Sequence, residues 1–278
     1  MMTEAYQNRF GGIGRLYGQK ALAKFAASHV VVIGIGGVGT WAAEALARSG
    51  IGQITLIDLD DICVTNTNRQ IHALTSTIGE SKVAVMAQRI RAINPDCQVN
   101  EVEDFITVDN LGEYLLGAKA GGNIDYVVDC IDAVKQKAAL IAWCKRQKIK
   151  IVTVGGAGGQ TDPTQIQLTD LAKTYQDPLL AKVRNILRRE YNFSKNVQRR
   201  FAVDAVFSSE QLVYPQADGS VCSSKASADG SMRMDCASGF GAVTMVTGTF
   251  GFVAASRVLA RLAQIANEPV VDEPAASE

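Results

Sequence analysis

An α/β fold with a mostly parallel sheet covered by helices on both faces is what this sequence predicts. Three observations carry that expectation. Short apolar runs alternate with longer helical patterns between residues 29 and 154. Most of the runs are apolar throughout, as in strands buried on both faces, while residues 98–103 alternate. Between the first run and the first helical pattern stands Gly34-Ile35-Gly36-Gly37-Val38-Gly39, a strand–turn–helix glycine pattern.

In chain order, residues 1–28 form an amphipathic N-terminal arm. Residues 29–33 are an apolar, β-branched strand, and a helix follows from about residue 38 to 48. Residues 53–58 are a second buried strand, ending in Asp58-Leu59-Asp60-Asp61. A polar loop then carries Asn66, Asn68, Arg69 and His72. Residues 80–93 are helical, and Asn94-Pro95 stops them. Strands at 98–103, 124–129 and 149–154, with a helix at 133–148, complete a Rossmann-like unit. The last strand opens into Gly155-Gly156-Ala157-Gly158-Gly159. After about residue 170 the alternation stops. Residues 203–214 look like strand again, 215–235 form a Ser/Gly/Asp-rich loop, and an apolar helix follows. A Pro/Glu tail, 267–278, has the composition of a disordered segment.

The chain has 278 residues, 47% of them apolar, and a formal net charge of zero, so no global field draws a polyanion. The charge is uneven, however. Residues 182–200 hold Lys182, Arg184, Arg188, Arg189, Lys195, Arg199 and Arg200 against Glu190, a local +6 that leaves the remainder at −6. Tyr191 and Phe193 lie within that run, so phosphate-backbone contact is one reading and a solvated basic helix the other. None of the six cysteines forms a CxxC pair, so no zinc is expected. The polar N-terminus is unlike a secretory signal, and the cysteines read as reduced and cytoplasmic. Residues 237–256 carry no charge and are long enough to span a bilayer. Their Gly, Ala, Ser and Thr content favours a buried or dimer-packing helix over membrane association.

The candidate nucleotide site begins at Gly34, Gly36, Gly37 and Gly39. Glycine admits backbone to the phosphates, and the helix N-terminus supplies N–H donors. Asp58, 19 residues past Gly39, stands where an acid accepts from a ribose. Taken alone, this serves an NAD enzyme as well as an ATP enzyme. Asn66, Arg69, Lys82 and Asp132 break the tie, because all belong at the carboxyl edge of the sheet. Nucleotidyl transfer uses cations on a phosphate chain, whereas hydride transfer does not need them. Asp132 could hold Mg²⁺ beside phosphate, while Asp129 reads equally as a cap of the helix that follows.

These motifs resemble the adenylating enzymes related to ubiquitin-activating enzyme and to the molybdopterin-synthase and thiamine-pathway adenylyltransferases. The resemblance lies in Gly34–Gly39, Leu56-Ile57-Asp58-Leu59-Asp60, Asn66-Thr67-Asn68-Arg69-Gln70, Gly79-Glu80-Ser81-Lys82-Val83, Ile93-Asn94-Pro95 and Asp129–Asp132. It implies that residues 29–170 are an adenylation domain using ATP and Mg²⁺. Gly36 and Gly39 would approach the phosphates, Asp58 the ribose, and Asn66, Arg69 and Lys82 the triphosphate. Asp132 would position the metal and the reacting carboxylate. It also implies a homodimer in which an arm arginine, Arg9 or Arg15, completes the partner's site.

The branch resembled most dehydrates threonylcarbamoyladenosine in tRNA. Arg9-Phe10-Gly11-Gly12-Ile13-Gly14-Arg15-Leu16-Tyr17-Gly18, Gly155-Gly156-Ala157-Gly158, Ile166-Gln167-Leu168-Thr169-Asp170 and Asp177-Pro178-Leu179 carry this narrower likeness. Residues 171–266 would then be a basic insertion and C-terminal extension of the same globular unit, making tRNA and dimer contacts. A cysteine-desulfurase-type sulfur-transfer partner is also implied, though no residue here demonstrates one. Cys236 reads either as a thioester-forming nucleophile, as in relatives that handle ubiquitin-like proteins, or as a structural thiol. Rival readings are an adenylyltransferase for a ubiquitin-like sulfur carrier, an NAD(P) oxidoreductase and a non-catalytic tRNA-binding protein.

Overall fold

The computed structural model describes residues 2–116, 122–216, 219–223 and 240–268. The fold is the expected α/β sandwich of a sheet between helix layers. A seven-stranded sheet runs in the order β3-β2-β1-β4-β5-β7-β6. Its strands are β1 (His29–Ile33), β2 (Gln53–Ile57), β3 (Gln98–Val102), β4 (Tyr126–Asp129), β5 (Lys150–Val154), β6 (Ile166–Asp170) and β7 (Asp204–Ser208). All neighbours pair parallel except β6 with β7. Every residue of β1 is buried, which is why its sequence is apolar without alternation. A two-stranded ribbon, β8 (Tyr214–Pro215) with β9 (Val221–Cys222), lies apart from this sheet.

The helices are α1 (Glu4–Tyr17), α2 (Gln19–Ala26), α3 (Gly39–Arg48), α4 (Lys82–Ile93), α5 (Leu111–Leu115), α6 (Val134–Arg146), α7 (Pro178–Glu190) and α8 (Thr244–Asn267). One core joins α2, α3, α4 and α8 to one sheet face through Phe25, Leu46, Met86 and Phe250. The other joins α5, α6 and α7 to the opposite face through Leu115, Ile141, Leu187 and Phe207. The arm is two packed helices. Thr3 caps α1 by accepting from the Tyr6 N–H at 3.1 Å, and Tyr6 and Phe10 are buried beside Gly50.

The region after residue 170 contributes β7, which enters the sheet between β5 and β6. That pairing comes from non-local chain return and leaves no trace in local periodicity. The apolar C-terminal helix packs inside the protein. A side-chain carbon at Gly251 would stand 2.7 Å from the Val38 carbonyl oxygen, so glycine there lets α8 lie against α3. Among the described residues no helix is long and apolar enough to cross a membrane. Residues 237–239 of the uncharged stretch, residues 269–278 of the tail and Cys236 lie outside the described residues.

Candidate functional site

Strand order reverses between β1 and β4, since β2 and β3 lie to one side of β1 and β5 to the other. Open α/β sheets bind ligands at the carboxyl ends of the strands at such a switch point. The two turns that flank it are the glycine turn after β1 and Asp129–Asp132 after β4.

The glycines have different reasons to be glycine. Gly34 has φ +88° and a side-chain carbon there would meet the Cys130 carbonyl oxygen at 2.9 Å. At Gly39 the same atom would stand 1.8 Å from the Gly34 carbonyl oxygen. Both positions are therefore dictated by chain packing. A side-chain carbon at Gly36 would touch only Gln70 Nε2, at 3.9 Å, whereas one at Gly37 would meet the Arg69 side chain at 3.2 Å. Of the two glycines expected to approach phosphate, Gly36 is the open one, and Gly39 is closed over by its own turn.

Asp58 follows β2 directly. Its Oδ2 accepts the Ile35 N–H at 2.6 Å and its Oδ1 accepts the Asp60 N–H at 2.9 Å, so the carboxylate ties the second strand's exit to the glycine turn. Burial pushes the Asp58 carboxyl up, while the nearby Lys82 ammonium and the two N–H donors pull it down. Lys82 opens α4 and is 6% exposed; its Nζ lies 2.7 Å from Asp60 Oδ2 and 3.7 Å from Asp58 Oδ1. A buried ammonium beside two carboxylates is held in place rather than solvated.

Arg69 donates from Nη1 to the Thr65 carbonyl at 2.7 Å and to Asn68 Oδ1 at 2.9 Å. Its own carbonyl accepts from Trp41 Nε1 at 3.0 Å. Asn66 is buried, and its Oδ1 accepts the Cys63 N–H at 3.0 Å, shaping the loop. The start of α8 braces the same loop: Asn68 Nδ2 donates to the Ala242 carbonyl at 2.7 Å, and Thr244 Oγ1 donates to the Asn68 carbonyl at 2.6 Å. Nothing local in either segment signals this long-range contact.

Asp132 stands exposed in the turn before α6. Asp129, by contrast, is fully buried and does not cap that helix; the cap position is Ala133. Its carboxylate meets Lys137 Nζ at 3.0 Å, accepts from Thr153 Oγ1 at 2.7 Å and accepts the Ile131 N–H at 3.1 Å. Lys137 is equally buried and also donates to the Ile131 carbonyl at 2.8 Å. This ion pair anchors the turn that presents Asp132. Lys137 went unnoticed in the sequence because a lysine in a helix ordinarily faces water.

On the neighbouring turn, Asp177 caps α7 by accepting the Leu180 N–H at 2.8 Å and also accepts the Gly156 N–H at 2.9 Å. A side-chain carbon at Gly155 would stand 1.8 Å from Asp177 Oδ2, so the glycine run admits this carboxylate. His72 is buried near the glycine turn, its Nε2 3.2 Å from the Ile35 carbonyl; burial lowers it to about 4, so it is a neutral structural imidazole. Burial pushes the Cys97 and Cys130 thiols up to about 12, the opposite of an activated nucleophile.

The basic run is divided by its packing. Arg184 is turned inward, donating from Nη1 to Thr174 Oγ1, and Arg188 lies over the Phe201 ring at 5.3 Å. These two share a helix face, as their spacing requires, but that face meets the protein rather than solvent. Arg189 pairs with Glu190, and Arg200 lies 3.7 Å from Asp170 while 74% exposed. Lys182, Lys195 and Arg199 are exposed. In the arm, Arg9 and Arg15 are exposed on α1.

An open glycine turn, a carboxylate at the exit of β2 and two held cations at a sheet switch point are the features of a nucleotide-binding α/β protein. The chain belongs to the ThiF family, whose model matches residues 12–275. It is 61% identical to tRNA threonylcarbamoyladenosine dehydratase of Escherichia coli, over 94% of this chain and 96% of that protein. It is 58% identical to the Haemophilus influenzae protein of the same name, over 92% of this chain and 94% of that one. The crystal structure of the E. coli dehydratase in complex with ATP superposes with a TM-score of 0.84 at 54% identity, covering 97% of this chain and 100% of the other.

Proposed function

We propose that this chain is an ATP-dependent dehydratase that cyclises threonylcarbamoyladenosine in tRNA. The observation that carries the reading is the convergence of Gly36, Asp58, Arg69, Lys82 and Asp132 on one sheet edge, in a chain alike to the named dehydratases along nearly its whole length. In the first step the threonyl carboxylate attacks the α-phosphate of ATP, and pyrophosphate leaves. The carbamoyl group then attacks the acyl carbon and AMP leaves, so the net change in the nucleoside is loss of one water. Because that nucleophile is tethered to the acyl group, proximity drives the second step without a protein nucleophile.

The residues take distinct roles in this reading. Gly36 admits the phosphates to the first turn of α3, and Asp58 accepts from the ribose. Arg69 has further N–H donors beyond the two that hold its loop, and Lys82 sits one carboxylate away from the triphosphate; both stabilise charge on the phosphate oxygens. Asn66 uses its oxygen in the loop, which leaves Nδ2 as its donor toward phosphate. Asp132 suits Mg²⁺, since no ion pair or side-chain hydrogen bond among the described residues engages its carboxylate and Mg²⁺ is held by one or two carboxylates with phosphate oxygens. When bound, the metal neutralises phosphate charge. The dehydration step itself consumes no sulfur, so a sulfur-transfer partner of the cysteine-desulfurase type would act outside that step.

A homodimer belongs to the same proposal. Leu16, Met245 and Phe252 are exposed apolar side chains on α1 and α8, and Arg9 or Arg15 on α1 would reach a partner's phosphates. Lys182, Arg189, Lys195, Arg199 and Arg200 are the exposed members of the basic run, open to tRNA phosphate.

The decisive experiment is mass spectrometry of nucleosides from tRNA carrying threonylcarbamoyladenosine, after incubation with protein, ATP and Mg²⁺. Loss of one water with formation of AMP is expected, and Asp132→Ala should abolish it while leaving the fold intact. An unchanged nucleoside, with pyrophosphate exchange provoked instead by a protein C-terminus, would favour the sulfur-carrier reading.

A further inference from the structure

The tertiary structure joins two basic segments that are about 40 residues apart in the chain. α6 and α7 both start beside the nucleotide turns, α6 just after Asp132 and α7 at Asp177 against Gly156. They pack side by side on one face of the sheet, so both end at its opposite edge. α6 ends in Lys145 and Arg146, which are exposed, as are Lys148 and Lys150 beyond it. α7 ends at Glu190, and the segment after it folds back over the end of α6. Between these ends lies an open groove of about 630 Å³ lined by Lys145, Arg146, Arg200, Tyr191, Phe193 and Glu190, among others. Its floor is the Phe193–Phe201 pair, whose rings meet edge-on at 5.0 Å.

The lining has the chemistry of a single-stranded nucleic-acid subsite. Tyr191 and Phe193 pack against the core on one side, are only partly buried, and line the groove, where aromatic side chains serve as stacking platforms. Arg146 and Arg200 are exposed; Arg146 ends α6, where the helix C-terminus favours a cation, and Arg200 is held 3.7 Å from Asp170 while its side chain stays open to solvent. The single carboxylate in the lining, Glu190, is neutralised by Arg189 at 2.5 Å. A cavity of this size takes one nucleotide. The 13 residues of α6 place the groove about 20 Å from Asp132 at 1.5 Å rise per residue.

We infer that this groove binds an unpaired nucleotide of the tRNA substrate, its base on Tyr191 and Phe193 and its phosphates on Arg146, Lys145 and Arg200, about 20 Å from the reacting adenosine. The inference rests on the proposed tRNA reading and adds a second point of attachment. Two anchors at that separation recognise the shape of a folded RNA and set its register on the enzyme.

Fluorescence anisotropy with labelled tRNA carrying threonylcarbamoyladenosine tests it, using the full chain. Arg146→Glu should weaken binding about tenfold and lower the salt slope by about one. Tyr191→Ala should weaken it about tenfold, whereas Tyr191→Phe should retain wild-type affinity because the ring face is what stacks. Lys145→Gln, on the solvent side of α6, gives a charge variant that leaves the aromatic floor in place. Circular dichroism melts establish that each variant is folded. Equal affinity of folded wild type, Arg146→Glu and Tyr191→Ala would overturn the inference. So would a Tyr191→Phe as weak as Tyr191→Ala. A wild type that binds with this pattern yet forms no dehydrated nucleoside would sink the dehydratase reading and leave the subsite standing.

Discussion

Replacing Lys137 with methionine removes one charge from a pair in which both partners are fully buried. Asp129 would keep the Thr153 hydroxyl and the Ile131 N–H but lose the ammonium at 3.0 Å, and the Ile131 carbonyl would lose a donor at 2.8 Å. Leaving one member of a buried pair uncompensated costs about 3–5 kcal/mol. The pair also sits beneath the turn that presents Asp132, so the loss should fall on turnover as well as on stability. Urea unfolding measures the first, and dehydration of modified tRNA the second. Asp129→Asn alone strands the ammonium and should cost about as much. The double variant removes both charges and should be more stable than the sum of the two losses implies. Additivity of the single changes within about 0.5 kcal/mol would refute the coupling, because residues that do not interact behave that way.

Further outcomes follow from the same geometry. Gly39→Ala drives a methyl to 1.8 Å from the Gly34 carbonyl and should cost about 3 kcal/mol or more, whereas Gly36→Ala should leave stability nearly unchanged and weaken ATP binding about tenfold; calorimetry separates the two, and equal effects on stability would contradict the assigned roles. His72 titrates near 6.5 when unfolded and about 4 when folded, so its contribution is complete above pH 6.5 and is lost as pH falls toward 4. The loss is about 3 kcal/mol, with His29 acting in the same direction, and a Gln at position 72 should flatten the profile in that window; melts at pH 7.5 and 5 that fall equally in both proteins would argue against it. Asp177→Ala should lose about 1–2 kcal/mol as α7 loses its cap, and Asp177→Asn should recover most of that, since asparagine caps as well; an Asp177→Asn as unstable as the alanine variant in urea would mean that the carboxylate charge matters instead.

The sequence by itself determined the strands of the parallel sheet, the glycine turn after β1 and the row of polar residues at the sheet's edge. These are local properties: a strand buried on both faces must be apolar throughout, and a tight turn between strand and helix must be glycine. Asp58, Arg69, Lys82 and Asp132 were therefore legible from their positions after successive elements. Only the tertiary structure decided what each glycine is for, because the Gly39 requirement comes from a carbonyl five residues back and the Gly251 requirement from a different helix. It placed β7 between β5 and β6, a pairing between segments that no local pattern links. It turned Arg184 and Arg188 inward, leaving the rest of the basic run to solvent, and brought Lys145 and Arg146 to Arg200. It also buried Lys137 against Asp129. A charged side chain enters a core only where a partner of opposite sign is already present, and that partner is supplied by chain folding rather than by neighbouring sequence.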